Sequence, residues 1–81
     1  MTIQVRFFSF LRDLTGDSQV AVDVPDLATV EVLINILMDR YPKLREARRC
    51  LLVAVDLEYQ ALDYKLADGD EVCLFPPVQG G

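Results

Sequence analysis

Seven residues at the end of the chain, Phe75-Pro76-Pro77-Val78-Gln79-Gly80-Gly81, offer the best chemistry in the sequence. The carboxylate expected on Gly81 has an ordinary pKa of about 3.5, so at neutral pH it is an anion and a poor electrophile. It needs activation by another protein. Adenylation is the usual solution, turning the carboxylate into an acyl-adenylate that a sulfur or amine nucleophile attacks. Glycine suits this role because no side chain crowds the reacting carbonyl. Pro76 and Pro77 lack backbone N–H groups and hold φ in a narrow range, so a strand running into Phe75 ends there. From Pro76 onward the chain reaches roughly 20 Å when extended, enough to enter a pocket on another protein. Residues 76–81 are therefore expected to form a flexible tail with Gly81 as its working group.

Elsewhere the sequence offers little reactive chemistry. It contains no histidine, which removes Ser-His, Cys-His and zinc-histidine schemes together. Neither GxxxxGK[ST] nor GxGxxG occurs, so phosphate binding by those routes is not expected. Cys50 and Cys73 are not spaced as a CxxC motif, and both are expected as buried free thiols. Burial in an apolar strand would raise the pKa of Cys73 and make it a poor nucleophile. Asp68, Asp70 and Glu71 supply too few ligands in too short a loop for an EF-hand, and read better as a surface turn; no metal site is expected.

The 81 residues make one domain, and at 52% hydrophobic they support one modest core. Thirteen acidic against eight basic residues give a net charge of −5, which repels phosphate backbones and argues against nucleic acid as a partner. Arg40, Lys43, Arg45, Arg48 and Arg49 are the local exception. They read as a solvated helix end and turn, where cations suit the negative helix pole, with a docking surface for an acidic partner as the alternative. No apolar run approaches the roughly 20 residues needed to span a bilayer, and no signal peptide is evident, so a cytoplasmic protein is expected.

The elements that must hold the tail can be read from the hydrophobic periods. Residues 2–8 alternate, with Ile3, Val5 and Phe7 on one face and Gln4, Arg6 and Phe8 on the other, which predicts a first strand. Residues 9–16 break the pattern and suggest one irregular or helical turn stopped by Gly16. Val20, Val22 and Val24 alternate again, predicting a second strand over 18–24 that ends at Pro25 and forms a hairpin with the first. Val30, Leu33, Ile34, Leu37, Met38 and Tyr41 fall on one helical stripe, with Thr29 as N-cap and Pro42 as terminator. Residues 51–55 are a continuous apolar run of strand length, covered on both faces or central. Residues 56–60 suggest a short edge strand, and Leu62, Tyr64 and Leu66 alternate once more. An Asp68-Gly69-Asp70 turn, with Gly69 at positive φ, leads into a last strand over 71–75.

Two hairpin-like pairs flanking one helix give an α+β domain spanning residues 1–81, its mixed sheet covered on one face by one main helix. This is the β-grasp, or ubiquitin-like, arrangement. Placing the first and last strands side by side and parallel at its centre suits their apolar character and lets the tail leave from mid-sheet.

Several stretches carry a family likeness: Val5-Arg6-Phe7-Phe8, Thr29-Val30-Glu31, Leu52-Val53-Ala54-Val55-Asp56, and above all Leu66-Ala67-Asp68-Gly69-Asp70-Glu71-Val72 running into Phe75-Pro76-Pro77-Val78-Gln79-Gly80-Gly81. Over essentially its whole length the chain resembles the MoaD family of β-grasp sulfur carriers, the small subunits of molybdopterin synthase. Asp56 stands where asparagine is common in that family, and Gln79 where a smaller residue is usual. The resemblance implies that an E1-like enzyme, consuming ATP, adenylates Gly81. A persulfide-bearing donor protein then converts it to a thiocarboxylate. Val78, Gln79, Gly80 and Gly81 would enter the active site of the large synthase subunit, in a two-plus-two heterotetramer, and donate sulfur to cyclic pyranopterin monophosphate in molybdenum cofactor biosynthesis. Phe75, Pro76 and Pro77 would dock on the partner, although Phe75 fits core packing equally well. No cofactor would be bound stably, and the chain would not be an enzyme on its own. Alternatives are a sulfur carrier for thiamine or tRNA thiolation and a ubiquitin-like modifier conjugated through Gly81.

Overall fold

The computed structural model describes residues 1–77. Strand β1 (Thr2–Phe7) buries Ile3, Val5 and Phe7 and exposes the residues between them, as the alternation predicts. It pairs antiparallel with β2 (Gln19–Asp23), Ile3 lying opposite Val22. The irregular stretch between them contains the short helix α1 (Leu11–Thr15), which stops at Gly16 with φ +78°. That left-handed conformation costs glycine least, because it has no Cβ to clash.

Helix α2 (Val30–Arg40) buries the stripe Val30, Leu33, Ile34, Leu37 and Met38 against the sheet. Its first turn is closed from two directions. Thr29 Oγ1 accepts from the Val32 N–H at 3.3 Å, while the Val30 and Glu31 N–H groups donate to the carbonyls of Tyr64 and Leu62, each at 3.0 Å. These latter bonds explain a misleading period. Leu62, Tyr64 and Leu66 alternate like a strand, yet no sheet strand forms there. Their segment serves as a backbone cap for the helix, bonded also from the Leu66 N–H to the Ala28 carbonyl and through a single bridge between Thr29 and Lys65.

The helix gives way at Pro42, as expected. The basic segment beyond it is more than a turn: residues Pro42–Cys50 form a 3₁₀ helix that buries Leu44 and Ala47 and packs on α1 and α2. Its length is unusual for a geometry that normally runs three or four residues. Cys50 closes this segment and is exposed, contrary to the expectation of two buried thiols; only Cys73 is buried, and both are free. The apolar neighbours that suggested burial for Cys50 belong to the strand that begins just after it.

That strand is β3 (Leu52–Val55), followed by β4 (Glu58–Tyr59) and β5 (Glu71–Phe75). The five-stranded sheet has the order β2-β1-β5-β3-β4. Strands β1 and β5 are parallel neighbours at its centre, with Val5 beside Val72 and Phe7 beside Leu74, while β3 flanks β5 antiparallel. The mixed sheet with α2 across one face is the β-grasp arrangement that the periods predict. Three aspartates set the turns at one end. Asp68 accepts from the Thr2 N–H at 2.8 Å, Asp70 from the Ala67 N–H at 2.8 Å and Asp56 from the Glu71 N–H at 3.1 Å. Gly69 turns at φ +84°, as predicted. Among the described residues no group of His, Cys, Asp and Glu is placed to hold a metal ion, and no helix is long and apolar enough to cross a membrane.

Candidate functional site

The site begins where β5 ends. Along β5 the odd and even residues divide between the sheet faces: Val72 and Leu74 are fully buried in the core beneath α2, whereas Cys73 and Phe75 project from the opposite face. Phe75 is half-buried and lies outside the core cluster. Its ring stacks on Phe8 with centroids 4.6 Å apart and planes 15° from parallel, and meets the edge of Tyr59 at 6.4 Å. The choice between core and surface that the sequence left open for Phe75 is thereby decided in favour of the outer face. Leu52, opposite Phe75 on β3, and Ala54, opposite both Cys73 and Tyr59, continue this apolar surface.

Each member arrives for a local reason. Phe8 follows the exposed parity of Gln4 and Arg6 along β1, and its N–H donates to the Leu74 carbonyl at 3.1 Å, which carries the β1 ladder past the strand end to Phe75. Tyr59 is presented by the β3–β4 hairpin, a two-residue turn in which Asp56 and Leu57 adopt φ +48° and +75°. This is the positive-φ pattern that matches the twist of paired strands. The Asp56 carboxylate, at the position where the sequence departs from the family pattern, accepts from the Glu71 N–H and so ties this turn to the start of β5.

Phe8 and Tyr59 are site residues that the candidate set from sequence omitted. The alternation of β1 was sufficient to put Phe8 on the outer face. For Tyr59 the signal was weaker, an aromatic on a short edge strand, and its approach to Phe75 depends on the sheet order. Pro76 and Pro77 are half-exposed directly beyond Phe75, where they leave the sheet. The remaining candidates, Val78, Gln79, Gly80 and Gly81, lie outside the described residues.

Burial pushes the Cys73 thiol above its ordinary value, Glu71 adding to the rise and Arg6 opposing it. Protonated and buried, it contributes apolar volume beneath the patch and no nucleophile. On the other layer, Asn35, Met38, Asp39, Arg45 and Arg48 line a groove of about 380 Å³, where Arg45 pairs with Asp39 at 3.1 Å. The basic segment thus lies on the surface as expected, on the 3₁₀ helix that leads into β3, whose Leu52 pairs with Phe75.

What this arrangement can do is present a C-terminal segment from a rigid central strand, beside an exposed aromatic surface suited to a protein partner. The ThiS family model matches residues 5–81. The chain is similar to the molybdopterin synthase sulfur carrier subunit of Escherichia coli (strain K12), 38% identical over 81 residues, with 98% of this chain and 99% of that protein covered. In structure it is similar to SAMP1, small archaeal modifier protein 1, from Haloferax volcanii, with a TM-score of 0.88, 33% identity and full coverage of both chains. It is also similar to a chain in the complex of subunits 1 and 2 of molybdopterin-converting factor from Helicobacter pylori, with a TM-score of 0.73, 29% identity and full coverage of both chains.

Proposed function

The chain belongs to the ThiS family, and from that premise we propose that it is the sulfur-carrier subunit of a molybdopterin synthase, with Gly81 as the carrying residue. The observation that carries this reading is the placement of the Phe8–Phe75–Tyr59 surface directly beside the point where the chain leaves β5. A partner that grips the aromatic face receives the segment 76–81 at its own active site. An E1-like enzyme adenylates the Gly81 carboxylate, with pyrophosphate leaving from ATP. The terminal sulfur of the donor persulfide then displaces AMP to form an acyl disulfide. A second thiol attacks the donor's sulfur, becoming oxidised to a disulfide with it and releasing Gly81 as the thiocarboxylate. The large synthase subunit binds the loaded chain, supplies the remaining catalytic groups and directs the sulfur to cyclic pyranopterin monophosphate. By itself the chain is a carrier and holds no cofactor; its work belongs to the cytosol. Physically, exchanging one carboxylate oxygen for sulfur provides a soft, ionised nucleophile on an arm whose last two residues have no side chain.

The test is reconstitution. Incubation with a cognate E1-like enzyme, ATP and a sulfur donor is expected to raise the intact mass by one oxygen-to-sulfur exchange. The product, mixed with the large subunit and cyclic pyranopterin monophosphate, should then yield molybdopterin. No mass change under conditions that load a known carrier would refute the reading.

A second reading is favoured by the likeness to SAMP1, a modifier by name. In it the activated Gly81 is attacked by a lysine amine and forms an isopeptide bond. Both readings share adenylation, so the decisive observation comes afterwards. Lysine adducts on many cellular proteins, with little pterin product, would select the modifier.

A further inference from the structure

Beside the aromatic surface lies a second feature. Arg6, Phe7, Phe8, Arg12, Ser18 and Gln19 line a cleft of about 170 Å³ between β1, α1 and the start of β2. Both its arginines are exposed, and among the described residues neither makes an ion pair. Arg12 Nε has only a long bond, 3.4 Å, to the Ser9 carbonyl. Two guanidiniums thus open onto one cleft without a carboxylate between them, on a chain whose net charge is −5. Asp13 and Asp17, the acidic residues next to the lining in sequence, form no ion pair with either guanidinium among the described residues, and Asp17 instead accepts from the Tyr41 hydroxyl at 2.7 Å.

We propose that the Arg6–Arg12 cleft is the electrostatic half of the docking surface, receiving acidic side chains of the same partner that covers Phe8, Phe75 and Tyr59. Phe8 belongs to both features, lining the cleft and stacking on Phe75, so the cationic and aromatic areas form one continuous surface. The partner is therefore expected to carry carboxylates next to its apolar anchor pocket. Guanidinium suits this role because its planar fork matches a carboxylate in two parallel hydrogen bonds. The charges also orient the encounter, since a local cationic patch on a chain of net charge −5 steers a complementary acidic surface towards it. The proposal rests on the docking role of the aromatic face and adds the partner's chemistry to it.

The test is binding of the full-length chain to the purified large synthase subunit, over a series of salt concentrations. The R6Q/R12Q variant keeps side-chain length and removes both charges; R6E/R12E reverses them. Neutralisation is expected to weaken binding about tenfold at low salt and to flatten the salt dependence, with reversal weaker still, because exposed charge pairs are screened by ions. Phe75→Ala is the independent control for docking. If both arginine variants bind like the wild type with the same salt slope while Phe75→Ala weakens binding, the cleft proposal fails and the docking reading stands. If all three bind unchanged, both fail. Saturable binding of inorganic phosphate to the isolated chain, lost in R6Q/R12Q, would assign the cleft to a small anion and overturn the proposal. Both arginines are exposed, so circular dichroism is expected to report a native fold for each variant.

Discussion

Replacing Phe75 by alanine separates docking from folding, because the same ring contributes unequally to the two. A fully buried Phe→Ala change costs about 3–5 kcal/mol through lost transfer energy and a cavity. Phe75 is half-buried on the outer face and leaves no core cavity, so roughly 1.5–2.5 kcal/mol is expected. About 0.5–1.5 kcal/mol of that belongs to the stack on Phe8 at 4.6 Å. A domain of this size has a total stability on the order of 4–12 kcal/mol, which leaves the variant folded. Each kcal/mol lowers the melting temperature by about 4–8 °C. In the complex, an aromatic anchor at the centre of an interface is worth about 2 kcal/mol or more, a rise of about 30-fold in Kd. The assay is calorimetric titration against the large subunit, below the melting transition of the variant. A parallel denaturation series should include Phe8→Ala and the double variant, and coupling of about 0.5–1.5 kcal/mol between the two rings is expected in the free protein. A folded Phe75→Ala chain that binds within about threefold of the wild type would refute the assignment of this face as the docking surface.

Other consequences can be checked in the same preparations. Deleting Gly81 should abolish loading with sulfur while changing stability by no more than about 0.5 kcal/mol, since every residue of the described core precedes Phe75; a collapse of the melting transition would contradict this. Alkylation of the native chain, followed by peptide mass analysis, should label exposed Cys50 and spare Cys73 until the protein is unfolded. Thr29→Ala should cost about 1 kcal/mol, and a melting temperature unchanged within error would mean that the Leu62 and Tyr64 carbonyls suffice to close the helix start. Cys73 and Tyr41 both have folded-state pKa values raised above their ordinary 9.0 and 10.0, each first by burial, and for Tyr41 next by its hydrogen bond to Asp17. The stability they contribute is therefore complete below those unfolded values and is lost as pH rises through the folded ones. Urea midpoints measured across alkaline pH should fall, and Cys73→Ala should remove the earlier part of the decline.

Where a residue's neighbours are set by period alone, the sequence was readable. The first strand, the helix stripe and the positive φ at Gly69 each depend on residues within a few positions, and each has its expected conformation. The parallel pairing of β1 with β5 is non-local; the apolar character of the two strands is consistent with it, but periodicity encodes neither their adjacency nor their direction. Readability failed where one segment uses another's backbone. The alternation of Leu62, Tyr64 and Leu66 carries a strand's period, yet its carbonyls meet the free amides of α2, a pairing that side-chain patterns do not encode. Cys50 was misplaced because apolar neighbours do not reveal which side of an element boundary a residue occupies. At the site, the parity of Phe75 hung on where its strand began, and the role of Tyr59 on a hairpin that brings the two ring centroids within 6.4 Å of each other.

The position of β5 gives the proposed docking surface its mechanical sense. A segment leaving an edge strand would be held by one ladder, and a partner drawing on it would peel that ladder bond by bond. Here Phe75 ends a strand bonded on both sides, to β1 and to β3, with Leu52 opposite it and the Phe8 amide on the preceding carbonyl. Any load applied beyond Phe75 is shared by two ladders in shear. Pro76 and Pro77 extend this order past the sheet, because each fixes φ and reduces the conformational freedom that binding must remove. Ordering an unrestrained residue costs about 1–2 kcal/mol, so two restrained positions next to a rigid strand lower the entropy lost when the segment enters a pocket. If the aromatic face docks as proposed, it acts as one unit with Pro76 and Pro77, so that a partner gripping Phe75 also receives the point at which the chain leaves the sheet.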